Sequence, residues 1–212
     1  MKKILTVLAL AVAFLLPETA KSQVSFNGEV LAGYNVSGVT HMKSRMGFRA
    51  GVLGQMNFDA VPGLYANTGL MLELKGAKTK HDLPGVDAQA RMDAYYFTIP
   101  IHLGYQYNFN DQVGVFGEFG PYFGIGSFGK TTAKVNGHKV IDADTFGDEG
   151  LADRFDFGLG IRIGVEFIQR IPVSFGWDWG LVDISKSHPE LPVLSGESHH
   201  NYNFSFNVGY KF

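Results

Sequence analysis

The 212-residue chain carries 18 Lys and Arg against 20 Asp and Glu, a formal charge of −2, with 27 Gly, 18 Phe and no Cys. The missing Cys excludes disulfides, thiolate metal sites, cysteine nucleophiles and lipidation on an amino-terminal Cys. The balanced charge offers no basic stripe for nucleic acid, so no nucleic-acid partner is expected.

The chain opens with Met1-Lys2-Lys3, an apolar run from Ile4 to Leu16, and Pro17-Glu18-Thr19-Ala20-Lys21-Ser22-Gln23. A basic start, a short apolar stretch and small residues at Ala20 and Ser22 predict a signal peptide over 1–22, cut after Ser22. About 13 apolar residues are too few to span a bilayer as a helix. Removing 1–22 takes three Lys and one Glu with it, leaving a formal charge of −4. No later segment is long and apolar enough for a spanning helix, so membrane insertion would require a barrel over 23–212.

From Val24 onward the dominant period is two. Strand one, Val24 to Val36, sets Phe26, Val30 and Tyr34 against Asn27, Glu29 and Asn35. Strand two, about Arg45 to Phe58, alternates Met46, Phe48, Ala50, Val52 and Met56 with Gly47, Arg49, Gly51 and Gln55. After the Pro-Gly turn Asp59–Gly63, strand three runs from Leu64 to Lys75. Strand four, Tyr95 to Tyr107, sets Phe97, Ile99, Ile101, Leu103 and Tyr105 opposite Thr98, His102 and Gln106. Strand five starts at Val113, strand six spans Phe155 to Phe167, and strand seven runs from Ile171 to Asp183. The last, Tyr202 to Phe212, alternates without a break and keeps its apolar face to Phe212. Such alternation marks strands with one apolar and one polar face.

Short connections (59–63, 108–112, 168–171) alternate with mostly longer ones (38–44, 76–91, 129–153, 184–199). That asymmetry fits periplasmic turns at one rim and extracellular loops at the other. The expected fold is all-β: an antiparallel up-and-down membrane barrel of about eight strands, placed in the cell outer membrane with its lipid bilayer as partner. Volume decides which face points inward, because an eight-stranded barrel is just wide enough to be filled by side chains. The bulky apolar face does not fit there; the polar face, with Gly47, Gly51, Gly104, Gly120, Gly124, Gly158, Gly160 and Gly164, does.

The three short turns allow registers to be guessed, since opposite residues share a face. Phe58 facing Leu64 sets Arg49 opposite Glu73. Tyr107 facing Val113 sets His102 opposite Glu118, and a turn centred on Arg170 sets Arg162 opposite Asp178. Each register delivers an acid against a base, as buried charges require. A paired structural network plugging the lumen is favoured over a proton relay. Pro100 and Pro121 fall within strands, where each lacks a ladder donor, and a bulge or kink is expected there.

Tyr96-Phe-Thr-Ile-Pro-Ile-His-Leu-Gly-Tyr105, Phe155-Asp-Phe-Gly-Leu-Gly-Ile-Arg-Ile-Gly-Val-Glu-Phe167 and Gly180-Leu-Val-Asp-Ile184 resemble the PorT-like outer-membrane β-barrels of Bacteroidota. The resemblance covers nearly the whole mature chain. It implies the barrel fold and, from the founding member, assistance to protein secretion; it brings no catalytic motif.

Three further patterns carry little chemistry. Asp142-Ala-Asp144-Thr-Phe146-Gly147 through Asp153 resembles a calcium loop, but Phe146 replaces an oxygen ligand and no helices flank it. Val135-Asn-Gly-His138 is a type I′ hairpin signal, predicting a small ribbon within 129–153. Gly124-x-Gly126-x-x-Gly129 precedes no helix, so a dinucleotide site is not expected. His188, His199 and His200 match no metal spacing, and G-x-S-x-G and H-E-x-x-H are both absent. No catalytic residue, metal or cofactor is assigned. The favoured function is a non-enzymatic barrel presenting loops to an extracellular or periplasmic protein for binding, adhesion or secretion support. A lipid- or peptide-modifying enzyme with a rim site, or a narrow channel, are the alternatives.

Overall fold

The computed structural model describes residues 24–40, 43–83, 86–147, 152–183 and 200–212. The expected signal segment and the 184–199 loop, including His188 and His199, lie outside these residues. Among them are nine strands: β1 (Val24–Val39), β2 (Lys43–Phe58), β3 (Leu64–Leu83), β4 (Val86–Asn108), β5 (Val113–Val135), β6 (His138–Asp144), β7 (Phe155–Phe167), β8 (Ile171–Gly180) and β9 (Asn201–Lys211). All pairings are antiparallel, and β1 bonds to β9 while β4 bonds to β5. Eight strands therefore close on themselves, which leaves no free edge in the ring. The ninth, β6, lies outside it as a ribbon folded back on the end of β5.

The pleat sorts the side chains. Phe26, Leu70, Leu103, Phe119, Ile163 and Phe175 stand on the outer wall, each more than half exposed, where lipid takes the place of water. Glu29, Asn35, Glu73, Lys75, Glu118, Asp156 and Arg162 are buried in the lumen. This inversion, apolar out and charged in, is the signature of a barrel that spans a membrane. Aromatic residues collect at both rims. Tyr107 and Phe109 meet at the short-turn end, while Trp177, Trp179 and Phe204 stack at the other.

Two registers differ from the sequence expectation by two residues. Asn108 faces Gly114, so Glu118 lies across from Gly104 instead of His102. The Asn110 side chain accepts the amides of Gln112 and Val113 and fixes the shorter loop. Similarly, Ile168 and Gln169 take positive φ and centre the β7–β8 turn on Gln169, not Arg170. Arg162 then faces Gly176, and Asp178 faces Gly160. A slip of two keeps each side chain on its face. The β2–β3 register sets Arg49 opposite Glu73.

The segment 76–91 was expected to be a loop and is paired strand, from Gly76 opposite Asp93 to Leu83 opposite Val86. The 129–153 segment likewise begins as strand, with β5 and β6 joined at Asn136 and Gly137, both at positive φ. Past the lipid the outer face no longer needs apolar residues, so the alternation stops while the ladder continues. The prolines produce no bulge. The ladder lapses at Gly69–Leu70 against Ile99–Pro100 and at Ile101–His102 against Gly120–Pro121, with register unchanged across both gaps. Each proline removes one rung to one neighbour, and the other neighbour holds the strand in place. The shift instead falls between Tyr95 and Tyr96, where Ser127 is the extra residue opposite them.

Ile163, 55% exposed on the outer wall, tests the face assignment. Ile163→Arg is expected to cost roughly 2–4 kcal/mol near the bilayer midplane, falling toward zero near an interface, measured by urea unfolding in lipid vesicles. A silent substitution would mean the face does not meet lipid.

Candidate functional site: the closed lumen

A lumen too narrow for bulk water must match every charge that enters it. The inner faces supply Arg49, Lys75, Arg162 and Lys211 against Glu29, Glu73, Glu118, Asp156, Glu166 and Asp178. They meet in three layers along the axis.

Nearest the long-loop rim, Lys75 lies 3.2 Å from Asp156 and 3.4 Å from Glu73. Its ammonium also sits over the rings of Tyr122, at 4.8 Å, and Tyr96, at 5.2 Å. Asp156 accepts hydrogen bonds from Tyr122 and Asn201. Glu73 takes Arg49 at 2.7 Å and the Thr98 hydroxyl at 3.1 Å, and Arg49 reaches on to Asp178 at 3.5 Å. Asn203 donates to Asp178 and receives the amide of Asn35.

The middle layer turns on Arg162. One of its terminal nitrogens donates to both oxygens of Glu29 at 2.9 Å, and its Nε lies 3.5 Å from Glu118. Glu118 also accepts from Tyr65 and Asn67, and His102 Nδ1 lies 3.3 Å away. The cross-strand partner of Glu118 is Arg162 itself. At the short-turn end Lys211 pairs with Glu166, which also accepts from Gln106.

The expected pairs are thus partly regrouped. Arg49 and Glu73 meet, and His102 reaches Glu118 along a diagonal. Arg162 turns to Glu29 and Glu118, while Asp178 goes to Arg49, because the two-residue shift carries Asp178 one rung toward the long-loop rim. Glu29, Lys75 and Asp156 were legible as inward residues, yet the pairs Glu29–Arg162 and Lys75–Asp156 cross the lumen, beyond the reach of neighbour-strand registers. An apolar knot of Leu31, Leu53 and Met71 also fills the lumen, and no polar-face rule points to it.

Little space remains between the long-loop and middle layers, while the short-turn end opens into a hollow of about 470 Å³ that reaches Glu166 and Lys211. A cavity of about 20 Å³ borders Arg49, His102, Glu118, Arg162 and Asp178, room for about one water. Gly160 is part of this fit: a Cβ there would stand 2.8 Å from Asp178 Oδ1 and 3.1 Å from His102 Nε2. The long-loop mouth is stopped by Phe146, buried against Ala94, Tyr96 and Ala152, with Arg154 over its ring at 5.6 Å. The residue that broke the calcium-loop pattern is therefore a core aromatic; Asp148 and Glu149 of that pattern lie outside the described residues. Among the described residues no group of three or more acids, His or Cys is placed to hold a metal. His200 lies at the rim with Nδ1 near the carbonyl of Val182.

The family model of the outer membrane protein beta-barrel domain matches residues 18–186. No curated protein matches by sequence. Solved structures with a similar chain course include Neisserial surface protein A, at 14% identity and TM-score 0.46, covering 89% of this chain and 99% of that one. The attachment invasion locus protein Ail of Yersinia pestis, in complex with the heparin analogue sucrose octasulfate, shows 12% identity, TM-score 0.39 and the same coverages. OprG of Pseudomonas aeruginosa shows 12% identity and TM-score 0.41, with 90% of this chain and 97% of that one covered.

Removing one partner of a buried pair strands the other charge, at roughly 3–5 kcal/mol. Arg162→Ala is therefore expected to destabilise by about that much, and Glu29→Ala added to it to recover part of the loss. In a double-mutant cycle by urea unfolding, coupling of Arg162 to Glu29 should exceed coupling of Arg162 to Asp178. Equal couplings would refute the observed regrouping.

Proposed function

Because the chain belongs to the outer membrane protein beta-barrel domain family, and so resides in the outer membrane embedded in its lipid bilayer, we propose that it is a non-enzymatic surface barrel. Its lumen is a plug, and its working parts are the strand ribbons β3–β4 and β5–β6 that stand beyond the lipid. Their role is to engage a protein partner in adhesion or in support of secretion. The resemblance of Tyr96–Tyr105 and Phe155–Phe167 to the PorT-like barrels of Bacteroidota supports the secretion role.

The observation that carries this reading is the pairing of the lumen charges with one another around a space of about 20 Å³. A catalyst needs a reachable, water-accessible group, and a channel needs a continuous one. Here the chemistry-bearing side chains are used in holding the barrel shut. Recognition is assigned to the long-loop rim, where the β5–β6 tip exposes His138 and Val140. Short turns at one end and extended hairpins at the other support an extracellular position for that rim, after removal of 1–22.

The natural chain has no Cys, so a single His138→Cys at this exposed tip gives a clean probe. A membrane-impermeant maleimide is expected to label it on intact cells, on a protein whose intact mass begins at Gln23. A photo-crosslinker on the same Cys should capture one recurring partner. Labelling only after cell lysis would reverse the orientation and remove the surface role.

A further inference from the structure

The outer face of the long ribbons has an unusual charge. Lys43, Lys78, Arg91, Lys130, Lys134 and Lys139 line one groove of about 860 Å³, against only Asp93 and Asp142. Asp93 is paired with Arg45 and Arg91, and Asp142 with Lys139. Lys43, Lys78, Lys130 and Lys134 have no ion pair among the described residues. Moreover, Lys43 lies directly opposite Lys78, and Lys134 directly opposite Lys139. Like charges in directly opposed positions destabilise a sheet; Asp142 reaches Lys139 of the second pair, and no ion pair among the described residues reaches the first.

The position of the groove identifies what would offset them. On β4, Arg91, Asp93, Tyr95 and Phe97 share a face, and Phe97 is on the lipid wall. Tyr95 stacks on Phe128 at 4.4 Å with Phe48 edge-on beside it, an aromatic group of the kind that sits at a membrane interface. Asp93 opposite Lys130 comes two residues further out, and Gln89 opposite Lys134 six. At about 3.3 Å per residue that is roughly 7 and 20 Å along the strand, and less in height because barrel strands tilt. A second hollow of about 420 Å³, lined by Tyr95, Phe128, Lys130, Arg154 and one further acid, Asp144 opposite Lys130, joins the groove at Asp93 and Lys130. Arg154 is held in place there by bonds to the carbonyls of Gly126 and Ser127.

We infer that this face is a docking surface for phosphorylated headgroups of outer-leaflet lipid. The acyl chains lie along Tyr95 and Phe128, and the phosphates sit between the opposed lysines, whose repulsion they cancel. The inference goes beyond the surface role proposed above but rests on the same orientation of the long-loop rim. Lipid clasped here would hold the β5–β6 ribbon, and any partner on it, close to the membrane.

The test uses the chain purified from outer membranes, exchanged into micelles containing either lipid A, a phosphorylated glycolipid, or the same lipid dephosphorylated, with retention read by native mass spectrometry. Selective retention of the phosphorylated form is expected. Each basic residue near a membrane surface contributes about 1 kcal/mol, or about fivefold, so Lys130→Gln with Lys134→Gln should weaken retention on the order of thirtyfold. Both positions are exposed, and a heat-modifiable gel shift confirms that the variant barrel is folded. Arg170→Gln at the opposite rim should change nothing. Equal retention of the two lipids, no effect of the double variant, or equal retention of free inorganic phosphate would each overturn the headgroup site. Labelling of His138→Cys separates the two ideas: surface labelling without lipid selectivity refutes this inference alone, and selectivity without surface labelling refutes the outer-leaflet assignment.

Discussion

The structure depends on one constraint, the cost of keeping charge in a space too small for water. An isolated ion taken from water into such a space loses several kcal/mol even after relaxation. Ten ionised side chains and His102 point into this lumen, so the barrel is stable only while they satisfy one another. The layering of Lys75, Arg49 and Arg162 against five carboxylates follows from that requirement. Carboxylates outnumber cations inside, and hydroxyl and amide donors take up the remainder. Tyr65 and Asn67 serve Glu118, Thr98 serves Glu73, Asn203 serves Asp178, and Asn201 serves Asp156. Gly160 and Gly209 are the steric counterpart, leaving room for Asp178 and Glu29 where a methyl group would collide with them.

The same constraint separates the places where the protein can act from those where it cannot. Inside the membrane the outer wall meets lipid and the inner wall is committed to pairing. Only beyond the lipid, where Phe146 closes the mouth and β3 to β6 continue, do polar groups face water on both sides. The β3–β4 ladder runs on into its ribbon and the β4–β5 ladder resumes beyond the bulge at Ser127, so the barrel sets their direction. Thr145 donates to the carbonyl of Asp93 and accepts from the Thr131 hydroxyl, which ties the cap to the ribbon.

Much of this was legible from alternation alone. Glu29, Arg49, Glu73, Lys75, Glu118, Asp156 and Arg162 fall on the inner parity because side-chain direction along a strand is a local property. Register was less secure. Whether Asn108 faces Gly114 depends on the bonds that Asn110 makes within its turn, and the turn after Phe167 depends on two non-glycine residues at positive φ. Cross-lumen pairs such as Arg162 with Glu29 lay beyond reach, since β1 and β7 are not neighbours and meet only when the barrel closes. The β3–β4 ribbon was misread as a loop for a different reason: the apolar signal that marks a strand comes from lipid contact and ends where the lipid ends, whereas Val135-Asn-Gly-His138 marked the β5–β6 ribbon by its turn.

Conductance of the barrel reconstituted in a planar bilayer tests the closed lumen most directly. The paired lumen predicts an insulating membrane, with no steady unit conductance over a range of voltage. Steady unit currents that change with Arg162→Ala would place water and ions where the charges are held to meet one another, and would contradict the account.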